Sequence, residues 1–347
     1  MKSWFMVVSC FFAMIYPASG SPDSGRIRVD EVRWHPGSVL WRDPGAVETL
    51  DFVAGIGGEA FQPVPPFVFV DTLKGGVNPK IRVRDGRGRD WVLKWGPEAK
   101  TENIAGRLAW AAGYFVQPVY FVREGRIEGI RDLKSAAKFV EKDGRFRDAR
   151  FQLWGLLKGH NWTWDYNPFV GSRELNGLKV LMALMSNWDN KDAREVGNVS
   201  SNVAIVEHAE NGAVEYRYIV QDWGASLGKW GLPVCGRNKW DCDDYAKQSA
   251  KFVRRVDEKG LVDWNYSPSW HDITRDIRVE DVAWIMQYLG RITDEQLRAG
   301  LEASGATPAE TACFAQAIRG RIEALREVAS GVNESVTTRI RYASRRD

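Results

Sequence analysis

With 347 residues, of which 44% are hydrophobic, the chain is long enough to bury a sizeable core, and its composition excludes disorder throughout. Its 48 basic residues against 45 acidic ones leave a net charge of +3, far from the lopsided basic footprint of a nucleic-acid binder, so no nucleic-acid partner is expected. The four histidines show no H-x-x-x-H spacing and the four cysteines no C-x-x-C, which argues against a zinc site.

The first residues, MKSWFMVVSCFFAMIYPASGS, carry one early positive charge at Lys2, an apolar run from Trp4 to Tyr16, and small residues at Ala18 and Gly20. That order predicts a secretory signal peptide over residues 1–20 and an exported protein, periplasmic or extracellular. The alternative is an uncleaved anchor, but a spanning helix needs about 20 apolar residues, more than this run has. No later segment is apolar enough to cross a bilayer, so no transmembrane segment is expected after signal removal. Residues 21–62 lack clear periodicity and are expected to form an N-terminal arm or cap packed on the next segment.

The stretch FVFVDTLKGGVNPKIRVRDGRGRDWVLKWG then predicts a strand (Phe67 to Leu73), a glycine-containing loop (Lys74 to Lys80), a strand (Ile81 to Arg84), a tight turn (Asp85 to Gly88) and a strand (Trp91 to Trp95). Along the last of these, Trp91, Leu93 and Trp95 share one face while Val92 and Lys94 share the other. Lys94 is therefore either a snorkelling surface residue or a cation aimed from the sheet at an anionic ligand such as phosphate. The following KTENIAGRLAWAAGY is spaced for an amphipathic helix with Glu102 in its first turn, where a carboxylate can pair with Lys94. FVQPVYFV reads as a further strand interrupted by Pro118. Next come a basic part expected as helix (Asp132 to Lys142) and the aromatic run HNWTWDYNPF, which belongs to the core or else to a substrate mouth.

SRELNGLKVLMALMSN places Leu175, Leu178, Leu181, Met182 and Met185 at helical spacing behind Ser172 as N-cap. This buried helix delivers the polar loop SNWDNKDAREVGNVSSN, which holds Asp189, Lys191 and several asparagines. Two β-rich runs follow, Val203 to Val206 and Val214 to Val220, around Asn211-Gly212, the strongest short hairpin signal. With a two-residue turn, Glu210 faces Ala213, and continuing the ladder brings Asn202 to within one residue of Asp222. Asp189, Asn202 and Asp222 would then form an oxygen-rich cluster suited to magnesium, or else be polar residues that stand at strand ends by chance. Farther on, KWDCDDY is expected to be an exposed acidic turn. In an oxidising compartment, Cys235 and Cys242 would close the small loop CGRNKWDC and leave Cys313 buried and free. Closing helices are expected between Arg278 and Val328, then a basic, mobile tail over residues 331–347.

Taken in order, the strand, glycine loop, two strands with Lys94, helix with Glu102, Asp189 loop, Asn202 and the D-W-G at Asp222 resemble the protein-kinase-like fold. The likeness is to its atypical branches, such as the HipA-like toxin kinases, the phosphatidylinositol 3-/4-kinases and the secretory-pathway kinases. Departures from ordinary protein kinases are plain: KGGVNPK is not G-x-G-x-x-G, no His-Arg-Asp precedes the loop and no A-P-E follows. The resemblance implies an α+β, two-lobed fold, with a small antiparallel-sheet N-lobe over residues 63–125 and a larger, mainly helical C-lobe over 126–330.

By the same resemblance Lys94 contacts nucleotide phosphates and Glu102 is its ion-pair partner. Gly75, Gly76 and Lys80 lie around the phosphates, because glycine lets the backbone amides approach and lysine adds positive charge. Asp189 accepts the proton of a substrate hydroxyl with Lys191 beside it, and Asn202 and Asp222 hold Mg2+ or Mn2+. Asn202 lies thirteen positions after Asp189, against the usual five, so either the loop carries an insertion or Asn190, Asp192 or Asn198 is the ligand. The implied activity is ATP-dependent phosphoryl transfer to a protein or small-molecule acceptor. Its rivals are a non-catalytic nucleotide or metal binding module and a tryptophan-rich cell-envelope binding protein.

Overall fold

A computed structural model of the chain describes residues 36–73, 78–155, 161–196, 201–210, 212–231 and 236–343; beyond residue 331 it describes backbone alone. The elements run β1 (Ser38–Val39), α1 (Gly58–Phe61), β2 (Phe67–Thr72), β3 (Lys80–Arg84), β4 (Asp90–Lys94), α2 (Pro97–Ala111), β5 (Val119–Glu128), β6 (Arg145–Leu153), α3 (Arg173–Leu184) and α4 (Ala193–Val196). They continue with β7 (Val203–Glu210), β8 (Ala213–Val220), α5 (Cys242–Ser249), β9 (Val253–Val256), β10 (Val262–Trp264), α6 (Val279–Leu289), α7 (Asp294–Ala303) and α8 (Pro308–Ala343). The architecture is mixed α and β.

The first sheet has the order β2–β3–β4–β6–β5 and closes on itself. Each pairing along that order is antiparallel, while β5 returns to β2 through a short parallel contact at Phe67↔Ile127 and Val68↔Glu128. The closing contact departs from the purely antiparallel sheet expected. Alternation along β4 is as read: Trp91, Leu93 and Trp95 are buried and pack with Phe67, Ile81, Val83, Phe146 and Phe151 in one core cluster. The Asp85–Gly88 turn is held by the Asp85 carboxylate, which accepts from the Arg87 and Arg89 amides and from the Trp91 indole. β5 runs across position 125 and β6 adds the strand between β4 and β5, so this sheet extends well past the expected end of the first lobe. The basic part at 132–142 holds only a short 3-10 turn, Lys134–Lys138.

A second, larger cluster gathers residues of α2, α3, α5, α6, α7, α8 and the β7–β8 hairpin. Ser172 caps α3 as its sequence predicts, accepting from Leu175 N at 3.2 Å. The hairpin register also follows the turn, with Glu210 opposite Ala213 and Val203 opposite Val220. Helix α2 is not amphipathic in the expected sense. It is buried on nearly every side, because β5 and β6 lie against one flank and α6 and α7 against another. Its Arg107 is accordingly spent inside, donating to Phe52 O (2.6 Å) and Val53 O (3.0 Å), and burial lowers its pKa to about 10.

The arm packs mainly on this larger cluster. β1 adds in parallel to β8, and Trp41 donates to Ala112 O at 2.7 Å while its ring sits 5.1 Å from those of Trp284 and Tyr288. The aromatic run belongs to the core: Trp162 and Trp164 are 3% and 1% exposed. Two expectations are overturned. Cys242 is bonded to Cys313, not to Cys235, and Cys313 is therefore not free; the bond ties the start of α5 to α8 across 71 residues. Cys235 itself lies outside the described residues. The acidic stretch after it is no exposed turn, since Asp241 caps α5 by accepting from Asp244 N, and Asn238 Nδ2 donates to both carboxylates. α8 continues through Ala343, over most of the stretch expected as a tail. Among the described residues no helix is long and apolar enough to cross a membrane.

Candidate functional site

β4 ends at Lys94, and two residues later Gly96, at φ +87°, turns the chain into α2. Pro97 opens the helix, where its missing N–H costs nothing. The first turn carries Glu98, and Glu102 stands one turn later rather than in the first turn itself, so the two carboxylates share one face. Lys94 Nζ lies 2.8 Å from Glu102 Oε1 and 3.2 Å from Glu98 Oε2. Each carboxylate has a second cation: Glu102 also pairs with Arg150 of β6, and Glu98 with Lys239. The result is an alternating chain of charge, Lys239–Glu98–Lys94–Glu102–Arg150. Its Glu102–Arg150 end is deeply buried, with exposures of 4% and 2%.

Asp222 completes this group from the end of β8. Its Oδ1 accepts from Gly224 N at 2.9 Å. Burial alone would raise its pKa, but Lys94, the Gly224 amide, Arg150 and Lys239 together hold it below the usual aspartate value. Gly224 permits the close approach: a Cβ there would stand 3.0 Å from both Asp222 Oδ1 and the Glu98 carboxyl carbon. Thr101 Oγ1 fixes the same turn from α2 by donating to Gly224 O at 3.0 Å. Lys80, paired with Lys94 across β3 and β4, belongs to the same field. Burial first, then the charges of Lys94 and Arg150, push its pKa down.

The loop after α3 reaches this neighbourhood through Asn202. Gln221 N donates to Asn202 O (2.9 Å), which places Asn202 beside Asp222, and Asn202 Nδ2 donates to the Asp189 carbonyl (2.6 Å). Asn187 Nδ2 also reaches Asp222 O, at 3.5 Å. Asp189 is half-buried; its Oδ1 accepts from the Trp270 indole at 3.0 Å and its Oδ2 lies 3.4 Å from Lys191 Nζ. Between Asp189 and Asn202 the chain passes through α4, and Asn202 N donates to Lys191 O at 3.0 Å. The other candidates are engaged elsewhere. Asn190 holds Trp270 N and His271 O, and Asp192 holds Arg194 and Trp164 N; Asn198 lies outside the described residues.

Of the residues singled out in the sequence, Lys80, Lys94, Glu102 and Asp222 stand in one charged group and Asp189, Lys191 and Asn202 in another, the two meeting where Gln221, next to Asp222, pairs with Asn202; Gly75 and Gly76 lie outside the described residues. Sequence reasoning missed Glu98, Arg150, Lys239 and Trp270. Glu98 was visible as the carboxylate four residues before Glu102, but Arg150 and Lys239 arrive from separate elements and carry no local signal.

Oxygen donors that a hard cation could use are the Asn202 amide oxygen, left over once Nδ2 donates to the Asp189 carbonyl, and the carboxylate of Asp222, one residue after Asn202's strand partner Gln221. Among the described residues no three His, Cys, Asp or Glu side chains are grouped to hold a metal by themselves. The usual mode for magnesium, one or two carboxylates plus substrate phosphates, asks for fewer.

No protein-family model matches the sequence, and no curated protein does. Among solved structures, the golgi casein kinase is similar to this chain at 10% identity and a TM-score of 0.41, over 86% of this chain and 78% of that one, a likeness too loose to carry residue roles across.

Proposed function

We propose that the protein is an exported, kinase-like phosphotransferase that moves the terminal phosphoryl group of ATP to a hydroxyl acceptor. A single observation carries this reading: Lys94 is clamped between two carboxylates of α2 beside a field that includes Asp222, with Asp189 joined to the same place through Asn202. A surface lysine that merely snorkels would have no need of two buried partners. The α+β, two-lobed kinase arrangement belongs to the proposal, supported by the separation of the buried residues into a β-sheet cluster and a mainly helical one. Export is supported by the Cys242–Cys313 disulfide, since such bonds persist in oxidising compartments.

In phosphoryl transfer the protein mainly positions the reactants and stabilises charge. Lys94 and Lys80 bind phosphate oxygens; Gly75 and Gly76, expected from the sequence at the same phosphates, lie outside the described residues. Asn202 and Asp222 would hold a magnesium or manganese ion, which when bound would neutralise phosphate charge. Asp189 accepts the proton of the acceptor hydroxyl as its oxygen bonds to phosphorus and the bond to the departing nucleoside diphosphate breaks. Lys191, 3.4 Å from Asp189, keeps that carboxylate oriented and offsets its charge.

The test is Mg-ATP turnover in the wild-type chain alongside Asp189→Ala and Asp222→Ala. Each variant should lose on the order of 10²–10³-fold in kcat. Absence of nucleotide-dependent turnover with any divalent metal would remove the enzyme reading. A rise in melting temperature with Mg-ATP but no turnover would instead identify a nucleotide-binding module, because a ligand bound only to the native state stabilises by mass action.

A further inference from the structure

Trp270 presents an unusual combination. Its side chain is 49% exposed, yet its indole N–H is committed to Asp189 Oδ1 at 3.0 Å. Nor does its backbone move independently of that carboxylate. Ser269 N donates to Trp188 O (2.7 Å), Trp270 N to Asn190 Oδ1 (3.3 Å), and Asn190 Nδ2 to His271 O (2.7 Å). Tyr266, four residues before Trp270, donates its hydroxyl to Asn187 O. The segment 266–271 is thereby laced to 187–190 on both sides of Asp189, and Asn190, with no exposure, is the buried pin between them.

A tryptophan kept half in water gains little from burial, and core packing does not account for its place. What the fixed backbone accomplishes is to hold one N–H donor on one oxygen of one carboxylate. The second oxygen of Asp189 faces Lys191. A carboxylate that must meet an incoming hydroxyl in a defined orientation needs such restraint, because small misplacements of a reacting group are costly to rate. Resting on the phosphotransferase reading above, we propose that Trp270 is a positioning residue for the reaction, orienting Asp189 toward the acceptor oxygen through its indole N–H.

Trp270→Phe keeps an aromatic ring and deletes the N–H. It should lower kcat for Mg-ATP turnover, with water as acceptor, on the order of tenfold, while KM for Mg-ATP stays within about twofold, since the Trp270 indole N–H is engaged with Asp189 and not with Lys80, Lys94 or Asp222. Trp270→Gln, which restores an N–H donor without the ring, should recover part of the loss; a purely structural role for the ring predicts the reverse ranking. Wild-type kcat in Trp270→Phe, or a Gln variant worse than the Phe variant, overturns the proposal. An independent reading comes from the indole N–H resonance of Trp270, identified by its disappearance in Trp270→Phe. It should move upfield in Asp189→Ala, and an unmoved resonance overturns the contact. A wild-type chain that moves this resonance but turns over no nucleotide would retract the enzyme reading and this role with it, whereas wild-type turnover with an unaffected Phe variant sinks this role alone.

Discussion

Arg150 carries no sequence signal, yet it is among the most consequential residues of the site. Burial pushes its guanidinium pKa down to about 10, and its ion-pair partner Glu102 is as deeply enclosed. Removing one member of a buried pair strands the other, which typically costs about 3–5 kcal/mol. Arg150→Met should therefore lower the unfolding free energy by about 3 kcal/mol in urea titrations, the low end because Lys94 still faces Glu102. Arg42, half-exposed in its pair with Glu215, is the control: Arg42→Met should change stability by less than about 1 kcal/mol. Glu98 makes the pH dependence explicit. Burial alone would raise its pKa, but Lys94 and Lys239 hold it below the ordinary glutamate value of 4.5. A carboxylate with a depressed native pKa adds stability that is present above its unfolded value and is lost as pH falls through the native one. Melting temperature should thus decline below about pH 4.5 in the wild type and less steeply in Glu98→Gln. Lys94 and Glu102 themselves were legible, because strand alternation along β4 and helical spacing in α2 are local patterns; their extra partners come from β6 and the segment before α5.

At the scale of elements, the β7–β8 hairpin shows how far local chemistry reaches. The register expected from the Asn-Gly signal holds along the ladder, from Glu210 opposite Ala213 to Val203 opposite Val220, and Asn202 then pairs with Gln221, one residue from Asp222. The disulfide shows the opposite. Spacing alone favoured the short Cys235–Cys242 loop, but Cys242 opens α5 against α8, and Cys313 lies on the facing side of α8. Closing a loop of this length restricts the unfolded chain by about 4 kcal/mol in the chain-entropy treatment. The paired Cys242→Ala, Cys313→Ala variant, or the wild type with a thiol reductant, should lose most of that in chemical denaturation. The same bond fixes the start of α5 just after Trp240, which donates to Glu310 at 2.8 Å, and Lys239, which reaches Glu98. Loss of stability without any change in Mg-ATP affinity would show that Lys239 keeps its place without the disulfide.

For the molecule as a whole, α2 is the shared wall. It faces the closed sheet through β5 and β6 and the helical cluster through α6 and α7, and the arm seals its remaining side at Phe52. Phe52 is 2% exposed, and its carbonyl takes the buried Arg107. It also explains Gly300 of α7, where a Cβ would stand 2.9 Å from the Phe52 ring. Phe52→Ala should cost about 3–5 kcal/mol and lower the midpoint of the whole unfolding transition, measured by circular dichroism. A separate early transition of the arm would show that it is an appendage.

Much of the layout was set by the sequence acting locally. The strands β2 to β4, the capped helix α3 and the hairpin register follow from alternation, capping and turn chemistry, which operate over a few residues; Lys94, Glu102, Asp189, Asn202 and Asp222 were singled out by a resemblance in their order along the chain. The closure of the sheet through β6 and β5, the full burial of α2, the Cys242–Cys313 bond, and the arrival of Arg150, Lys239 and Trp270 at the site were decided only by tertiary structure. The contacts of Arg150, Lys239 and Trp270 join residues 48 positions apart (Glu102 to Arg150), 141 apart (Glu98 to Lys239) and 81 apart (Asp189 to Trp270). Such pairs arise from packing of distant elements, and no periodicity or short motif encodes which distant charge will meet a buried one.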